Sequence, residues 1–212
     1  MRITKDKEVR RAELVDAAAT LFVEKGYADT MVSDIVRRVG VAQGTFYYYF
    51  PTKEDVLDSV VELLLKETVQ RAQWLAGDAS QTCLQRLENL FRMLFSPRAS
   101  LEANSRYSDL LQDRTVYAHM QEARLRLMSP VFRTLLDDGV AAGEFNPLRY
   151  SDELSEMALR GAAAFLNGRR EAMAEPMIAN NTMDALAELM EKLLGLGEGT
   201  LDFKDRVIRR HL

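Results

Sequence analysis

GYADTMVSDIVRRVGVAQGTFYYYFPTKEDVL, residues 26–57, decides how this chain folds. Gly26 stops one helix, and Thr30 stands where a side-chain oxygen can cap the next. Val32, Ile35, Val36 and Val39 then recur at helical spacing until Gly40 breaks the pattern. After a turn of three or four residues a short second helix begins near Gln43. It carries Phe46 and Phe50 four apart on one face and leaves Gln43, Thr45 and Tyr48 pointing elsewhere. This is the pattern of a helix-turn-helix, whose second helix presents side chains of the kind that reach a DNA major groove. Pro51 ends that helix, and Thr52 opens a long fourth one with Asp55 three residues on, a variant of the capping box. The fourth helix is expected to run to about Leu75 and so to bridge the helix-turn-helix and everything downstream.

Working outward, Leu14, Ala17, Ala18, Leu21 and Phe22 mark residues 7–25 as an amphipathic helix that packs over the helix-turn-helix. Beyond Gly77 no strand-like alternation occurs, and helices are expected at 80–95, 100–112, 115–142, 151–172 and 182–194. Breaks fall at Ser96-Pro97, at Gly143 with Pro147, at Pro176 and at the Gly195, Gly197, Gly199 cluster. Pro130 lies inside the apolar pattern of Met120, Leu127, Val131, Leu135 and Leu136, so that helix either kinks or is two helices. The last segment, LDFKDRVIRRHL, reads as a short helix or a frayed tail. The chain is all-α.

At 212 residues and 47% hydrophobic content there is ample material for a core. No stretch approaches the roughly 20 apolar residues of a membrane span, and the N-terminus has charges where a signal peptide has its apolar segment, so the cytoplasm is the expected compartment. Cys83 is the one cysteine and reads as a small hydrophobe. A net charge of -4 does not favour nucleic acid, yet placement matters more than the total. Arg2, Lys5, Lys7, Arg10 and Arg11 stand against Asp6 and Glu8 at the N-terminus, a basic arm suited to phosphates or the minor groove. Helix N-termini at Thr30, Gln43 and Lys53 add partial positive charge without formal charge. Non-specific binding is then weak, and useful affinity calls for two copies acting together.

Gly26-Tyr27, Thr30, Ile35, Gly40-Val41, Gly44-Thr45-Phe46-Tyr47, Phe50, Lys53-Glu54 and Leu57 together resemble the TetR/AcrR transcriptional regulators. The resemblance is strong over the first quarter of the chain and rests on helical pattern and length beyond it. That family usually has Ser or Thr where Ala42 stands, so the side-chain cap of the recognition helix is missing here, a loss worth about 1 kcal/mol. The resemblance implies an N-terminal three-helix helix-turn-helix DNA-binding domain, residues 1–57. It also implies a larger C-terminal helical ligand-binding and dimerisation domain, residues 58–195, followed by a tail or short helix at 196–212.

The DNA-binding residues expected on this reading are Thr30, Gln43, Gly44, Thr45, Tyr47, Tyr48 and Lys53. Gln43 can read adenine through a bidentate amide pair, and Thr45 can touch a base or a phosphate. By resemblance Tyr47 is a phosphate contact, Tyr48 a base-edge or phosphate contact, and Lys53 a phosphate contact. Arg37 and Arg38 read equally as solvated charges. Among the aromatic and methionine side chains downstream, Phe91, Phe95, Tyr107, Met120, Phe132 and Met157 are either ordinary core or the lining of the effector pocket that the resemblance implies. Asn104, Arg124 and Arg160 are polar groups able to orient such a ligand. Leu154, Gly161, Ala162 and Phe165 on one late helix, and Leu186, Leu189, Met190 and Leu193 on another, form apolar stripes that serve intramolecular packing or, as in the resembled family, a four-helix homodimer interface.

The expected function is a ligand-responsive regulator that binds a palindromic DNA operator as a homodimer, takes a small, mostly apolar effector and needs no cofactor or metal. An enzyme is disfavoured: there are two histidines, His119 and His211, no metal-ligand spacing, and Gly195-Leu-Gly-Glu-Gly follows no strand. The other alternative is an all-α interaction module that has lost DNA binding.

Overall fold

The computed structural model describes residues 6–95, 109–169 and 171–204. Among them there are helices and no strand: α1 Lys7–Lys25, α2 Val32–Val39, α3 Gln43–Tyr49, α4 Lys53–Ala76, α5 Cys83–Phe95, α6 Arg114–Ala141, α7 Ser151–Gly168 and α8 Pro176–Leu194. Short 3-10 turns occupy Leu110–Gln112 and Ala172–Ala174. None of the described helices is long and apolar enough to cross a membrane. The expected break at Ser96-Pro97 and most of the helix expected at 100–112 lie outside the described residues.

The packing divides into two compact units, Met1–Glu67 with Asn104–Arg124 and Thr68–Ala103 with Leu125–Leu212. This differs from the boundary expected after residue 57. Val60, Val61 and Leu65 of α4 and Val116, Met120 and Ala123 of α6 are all buried, so the first unit draws on more of each long helix than the motif alone suggests. A helix that changes packing partners midway carries no sequence break at the change.

In the first unit Leu14, Ala18, Leu21 and Phe22 of α1 are buried with Ile35, Phe46, Phe50, Val56 and Leu57. Asp6 caps α1 by accepting from the Glu8 N–H at 3.2 Å. Gly40, at φ 75° and ψ 39°, takes the left-handed conformation that ends α2 and starts the turn, where a side chain is strained. The capping box expected at the head of α4 is present in full: the Asp55 carboxylate accepts from the Thr52 N–H at 2.7 Å, and Thr52 Oγ1 accepts from the Asp55 N–H at 3.2 Å.

The second unit is built on Leu87, Leu90, Phe91, Met128, Phe132, Leu135, Leu136, Leu159, Leu186, Met190 and Leu194. α5 begins three residues later than expected because Thr82 and Gln85 form its capping pair, with bonds of 3.1 and 3.2 Å. Glu144 reaches the same helix start, accepting from the Cys83 and Leu84 N–H groups at 3.0 Å each. Burial would raise its carboxyl pKa, yet those two amide bonds prevail and hold it below the ordinary value. Cys83 is buried, and burial pushes its thiol up. An inert small hydrophobe is what such a thiol amounts to.

One open reading is decided here and two are corrected. Of the two alternatives at Pro130, the single helix holds, for α6 runs through it. The break expected at Pro176 does separate α7 from α8, but Pro176 itself opens α8 at its first position, where its missing N–H costs nothing, six residues before the expected start. The segment after Gly195 is neither a helix nor frayed over its described part. Leu201 donates its N–H to Glu191 at 2.8 Å, Asp202 donates to Glu88 at 2.8 Å, and the Phe203 ring stacks on Phe91 at 4.3 Å. Residues 205–212 lie outside the described residues. Gly139 is fixed by a close approach, since a Cβ there would stand 2.0 Å from the Phe145 ring.

Candidate nucleic-acid interface

α3 is seven residues long, and its two faces differ sharply. Phe46 and Phe50 point inward at 0% and 2% exposure with their rings 5.7 Å apart. Tyr47 and Tyr48 point outward at 50% and 68%. Gln43 and Gly44 are exposed and Thr45 is half-buried. Ala42 stands at the N-cap without a side-chain hydrogen bond, as its methyl requires. Gly44 has nothing within 4 Å of where a Cβ would be, so the protein interior does not ask for a glycine there. Arg11, expected as part of the basic arm, is engaged elsewhere. Its guanidinium lies over the Phe50 ring at 5.1 Å and donates to Ser59 Oγ at 2.7 Å, joining α1, α3 and α4. A contact spanning 48 residues of sequence leaves no local signal.

Two of the expected DNA contacts are engaged by partners within the first unit. The Thr30 side chain is 1% exposed and donates to the Gly26 carbonyl at 2.7 Å, closing the end of α1 rather than capping α2. The N-cap of α2 is Met31, whose N–H is received by the Asp34 carboxylate at 3.2 Å. Lys53 is the second: its Nζ donates to the Tyr27 carbonyl at 2.9 Å, the Thr30 carbonyl at 3.1 Å and the Ala28 carbonyl at 3.4 Å, and lies 4.3 Å from the centre of the Tyr27 ring. Tyr27 is buried, and its hydroxyl donates to Glu54 Oε1 at 3.2 Å. Its pKa is pushed up to about 12, first by burial and then by the Glu54 carboxylate.

Among the described residues of the basic arm, each cation has a neighbour in its own unit. Arg10 pairs with Glu13 at 2.7 Å and Arg11 is engaged as above, while Lys7 approaches the Tyr48 ring at 5.4 Å. Arg2 and Lys5 lie outside the described residues. Arg38 is tied to Glu24 at 2.9 Å, and the more exposed Arg37 is 3.7 Å from Asp34.

The residues expected to line a pocket divide between the two compact units. Phe91, Phe95 and Phe132 form an aromatic cluster with ring centres 5.2 and 5.7 Å apart, closed on one side by Phe203. Met120 is buried in the other compact unit, and Met157 is 68% exposed because the inward face of α7 is Ser155, Leu159, Ala162, Ala163 and Leu166. Tyr107 and Asn104 lie outside the described residues. Arg160 is bonded to Glu156 at 2.7 Å, and the pKa of Arg124 is lowered by burial.

The two apolar stripes also split. Ala162, Leu186 and Met190 belong to the core of the second unit and are unavailable to a partner. Leu154 and Leu193 are partly buried. Gly161, Phe165 and Leu189 face outward, and Met157 falls on the same side of α7 as Gly161 and Phe165, at i, i+4 and i+8.

Residues 14–60 match the family model of bacterial regulatory proteins of the tetR family. The HTH-type transcriptional repressor KstR2 of Mycolicibacterium smegmatis is 31% identical over 146 residues, covering 65% of this chain and 68% of that protein. Its counterpart in Mycobacterium tuberculosis is 27% identical over 152 residues, with 69% and 74% covered. Among solved structures, a TetR-family transcriptional regulator from Pectobacterium atrosepticum superposes with a TM-score of 0.61 at 21% identity, covering 90% of this chain and 98% of that one. A helix-turn-helix whose second helix buries two phenylalanines and turns its polar side outward, on a chain with these relatives, belongs to the TetR family of DNA-binding transcriptional regulators, which are not enzymes.

Proposed function

We propose that this chain is a repressor that binds a palindromic operator as a homodimer, reads it with α3, and is released by a small, mostly apolar effector. The observation that carries the reading is the outward face of α3. Gln43, Thr45, Tyr47 and Tyr48 supply donors and acceptors there, and Gly44 lies bare among them with no interior reason for its missing side chain. A glycine that the fold does not need is explained by close approach of something outside it. KstR2 of Mycolicibacterium smegmatis, 31% identical, is a transcriptional repressor by name, which supports the sign of regulation.

Selection from a random DNA pool supplies the site, and titrations then sort the contacts. Tyr47→Phe is expected to weaken binding to all sequences alike. Gln43→Ala is expected to relax one base position by about 1–3 kcal/mol. Gly44→Val is expected to leave the melting temperature nearly unchanged and to weaken operator binding. Equal affinity of the wild type and the Gln43→Ala, Tyr47→Phe double variant for the selected site would remove α3 as the reading element.

The route from effector to DNA is α4, which is unbroken from Lys53 at the helix-turn-helix to Ala76 in the core of the second unit. Two recognition helices must sit roughly 34–36 Å apart, so a modest rotation of α4 in each protomer misaligns both half-sites. Effector and operator then oppose one another reciprocally: a compound that weakens DNA binding tenfold binds about tenfold more weakly to the DNA complex. Calorimetry with and without operator tests this, and equal effector affinity in both rules out induction by that compound.

A further inference from the structure

We propose that Lys53 serves DNA recognition as a positioning residue that clamps the head of α4 to the loop entering the helix-turn-helix, and not as a phosphate contact. An ammonium has three N–H donors and no acceptor. Here all three have carbonyl partners, on Tyr27 at 2.9 Å, Thr30 at 3.1 Å and Ala28 at 3.4 Å. To reach a phosphate, Lys53 would have to abandon at least one of these carbonyls and the face of the Tyr27 ring, 4.3 Å from the ammonium.

The next residue grips the same loop. Glu54 accepts from the Tyr27 hydroxyl at 3.2 Å, so two consecutive side chains at the start of α4 hold one residue of the loop by its main chain and its phenol. The loop leads directly to Met31, the N-cap of α2, and α2 packs on both α1 and α3. Main-chain carbonyls are fixed points of the loop, whereas side-chain contacts can swing on their rotamers. A charge placed on three of them sets where α2 begins relative to α4, and through α2 sets how α3 is presented. The same clamp gives any displacement of α4 a direct hold on the helix-turn-helix.

The test compares wild type, Lys53→Met, Tyr27→Leu and the double variant for affinity to the selected operator across a salt series, at a temperature where near-ultraviolet circular dichroism shows each to be folded. Lys53→Met keeps the aliphatic stem and removes the clamp. It is expected to weaken operator binding roughly tenfold or more, the scale of losing one or two charge-assisted hydrogen bonds to partly buried acceptors. The slope of log K against log salt is expected to stay at the wild-type value, and the two single losses are expected to be non-additive in the double variant, since both act through one loop. A slope shallower by about 0.9 would mean a lost phosphate contact and overturn the proposal. Unchanged affinity in a folded Lys53→Met would overturn it too, leaving Lys53 as a stabiliser only. Should Lys53→Met not fold, Lys53→Arg decides: a phosphate contact survives that change, whereas a planar guanidinium cannot aim three N–H groups at three converging carbonyls. Full affinity in Lys53→Arg would overturn the clamp. Failure of wild type to bind any selected DNA would strike the reading of α3 instead, independently of Lys53.

Discussion

Glutamate at both Met157 and Leu189 is expected to convert a dimer into folded monomers and to weaken operator binding by about 10²–10⁴-fold, the range by which linking two modest binding modules exceeds either alone. Both side chains are already in water in the single chain, at 68% and 55% exposure, so the substitutions disturb no core contact. Phe165 and Gly161 flank Met157 on the outward side of α7, and Leu189 lies on α8, which packs beside it. An apolar stripe of this extent is unfavourable to leave uncovered, and in the proposed homodimer a second copy of the same stripe would cover it with two-fold symmetry. Leu186, Met190 and Ala162 are the wrong places for such a test because they hold the second unit together. Sedimentation at micromolar concentration, with operator titration, measures both effects. A monomeric wild type, or a charged variant that still sediments as a dimer and binds with full affinity, would sink the proposed interface.

Phe46→Ala is expected to remove about 3–5 kcal/mol of stability, the usual cost of deleting a fully buried phenylalanine. Set against the roughly 5–15 kcal/mol that holds a typical domain together, this leaves the helix-turn-helix close to unfolding. Phe46 is 0% exposed and packs against both Phe50 and the edge of Tyr47. Two positions further along the same helix, Tyr48→Ala should change stability by no more than about 0.5 kcal/mol, because its ring lies mostly in solvent. Denaturant titration of the two variants separates the face that builds the unit from the face left for a ligand. Similar losses for both would mean that α3 has no such division.

The division of α3 was readable from residues 43–50 because helical spacing alone assigns Phe46 and Phe50 to one side. Thr52 with Asp55 was readable for the same reason: a capping box is a local bond pattern with local spelling. What escaped was which of several available partners each polar group takes. Thr30 sits where a cap belongs, yet its hydroxyl is taken by the carbonyl of Gly26 at the end of α1, and an aspartate three residues past Met31 takes over the start of α2. The carbonyls that receive the Lys53 ammonium come from a loop 23 to 26 residues upstream, which its place at a helix start does not reveal. On α7 and α8 the stripes were visible, but an amphipathic helix with apolar residues on more than one side does not say which side its own chain covers. Met157 and Ala162 fell on opposite sides of that choice. The break at Pro176 was readable, but the start of α8 was set six residues too late, because no capping side chain marks it: Glu175 at the N-cap makes no side-chain cap bond.

The helix offered to DNA has almost nothing of its own to keep it helical. It has seven residues, an alanine where a capping side chain would sit, a glycine in its first turn and three consecutive tyrosines. Segments shorter than about 12–15 residues are marginal helices in water even when rich in alanine. The helical shape of α3 is therefore borrowed from Phe46 and Phe50, and a peptide of residues 42–51 should show only coil in circular dichroism. The proposed reading surface thus has no existence as a detachable part: it forms when the unit around it folds and vanishes with it.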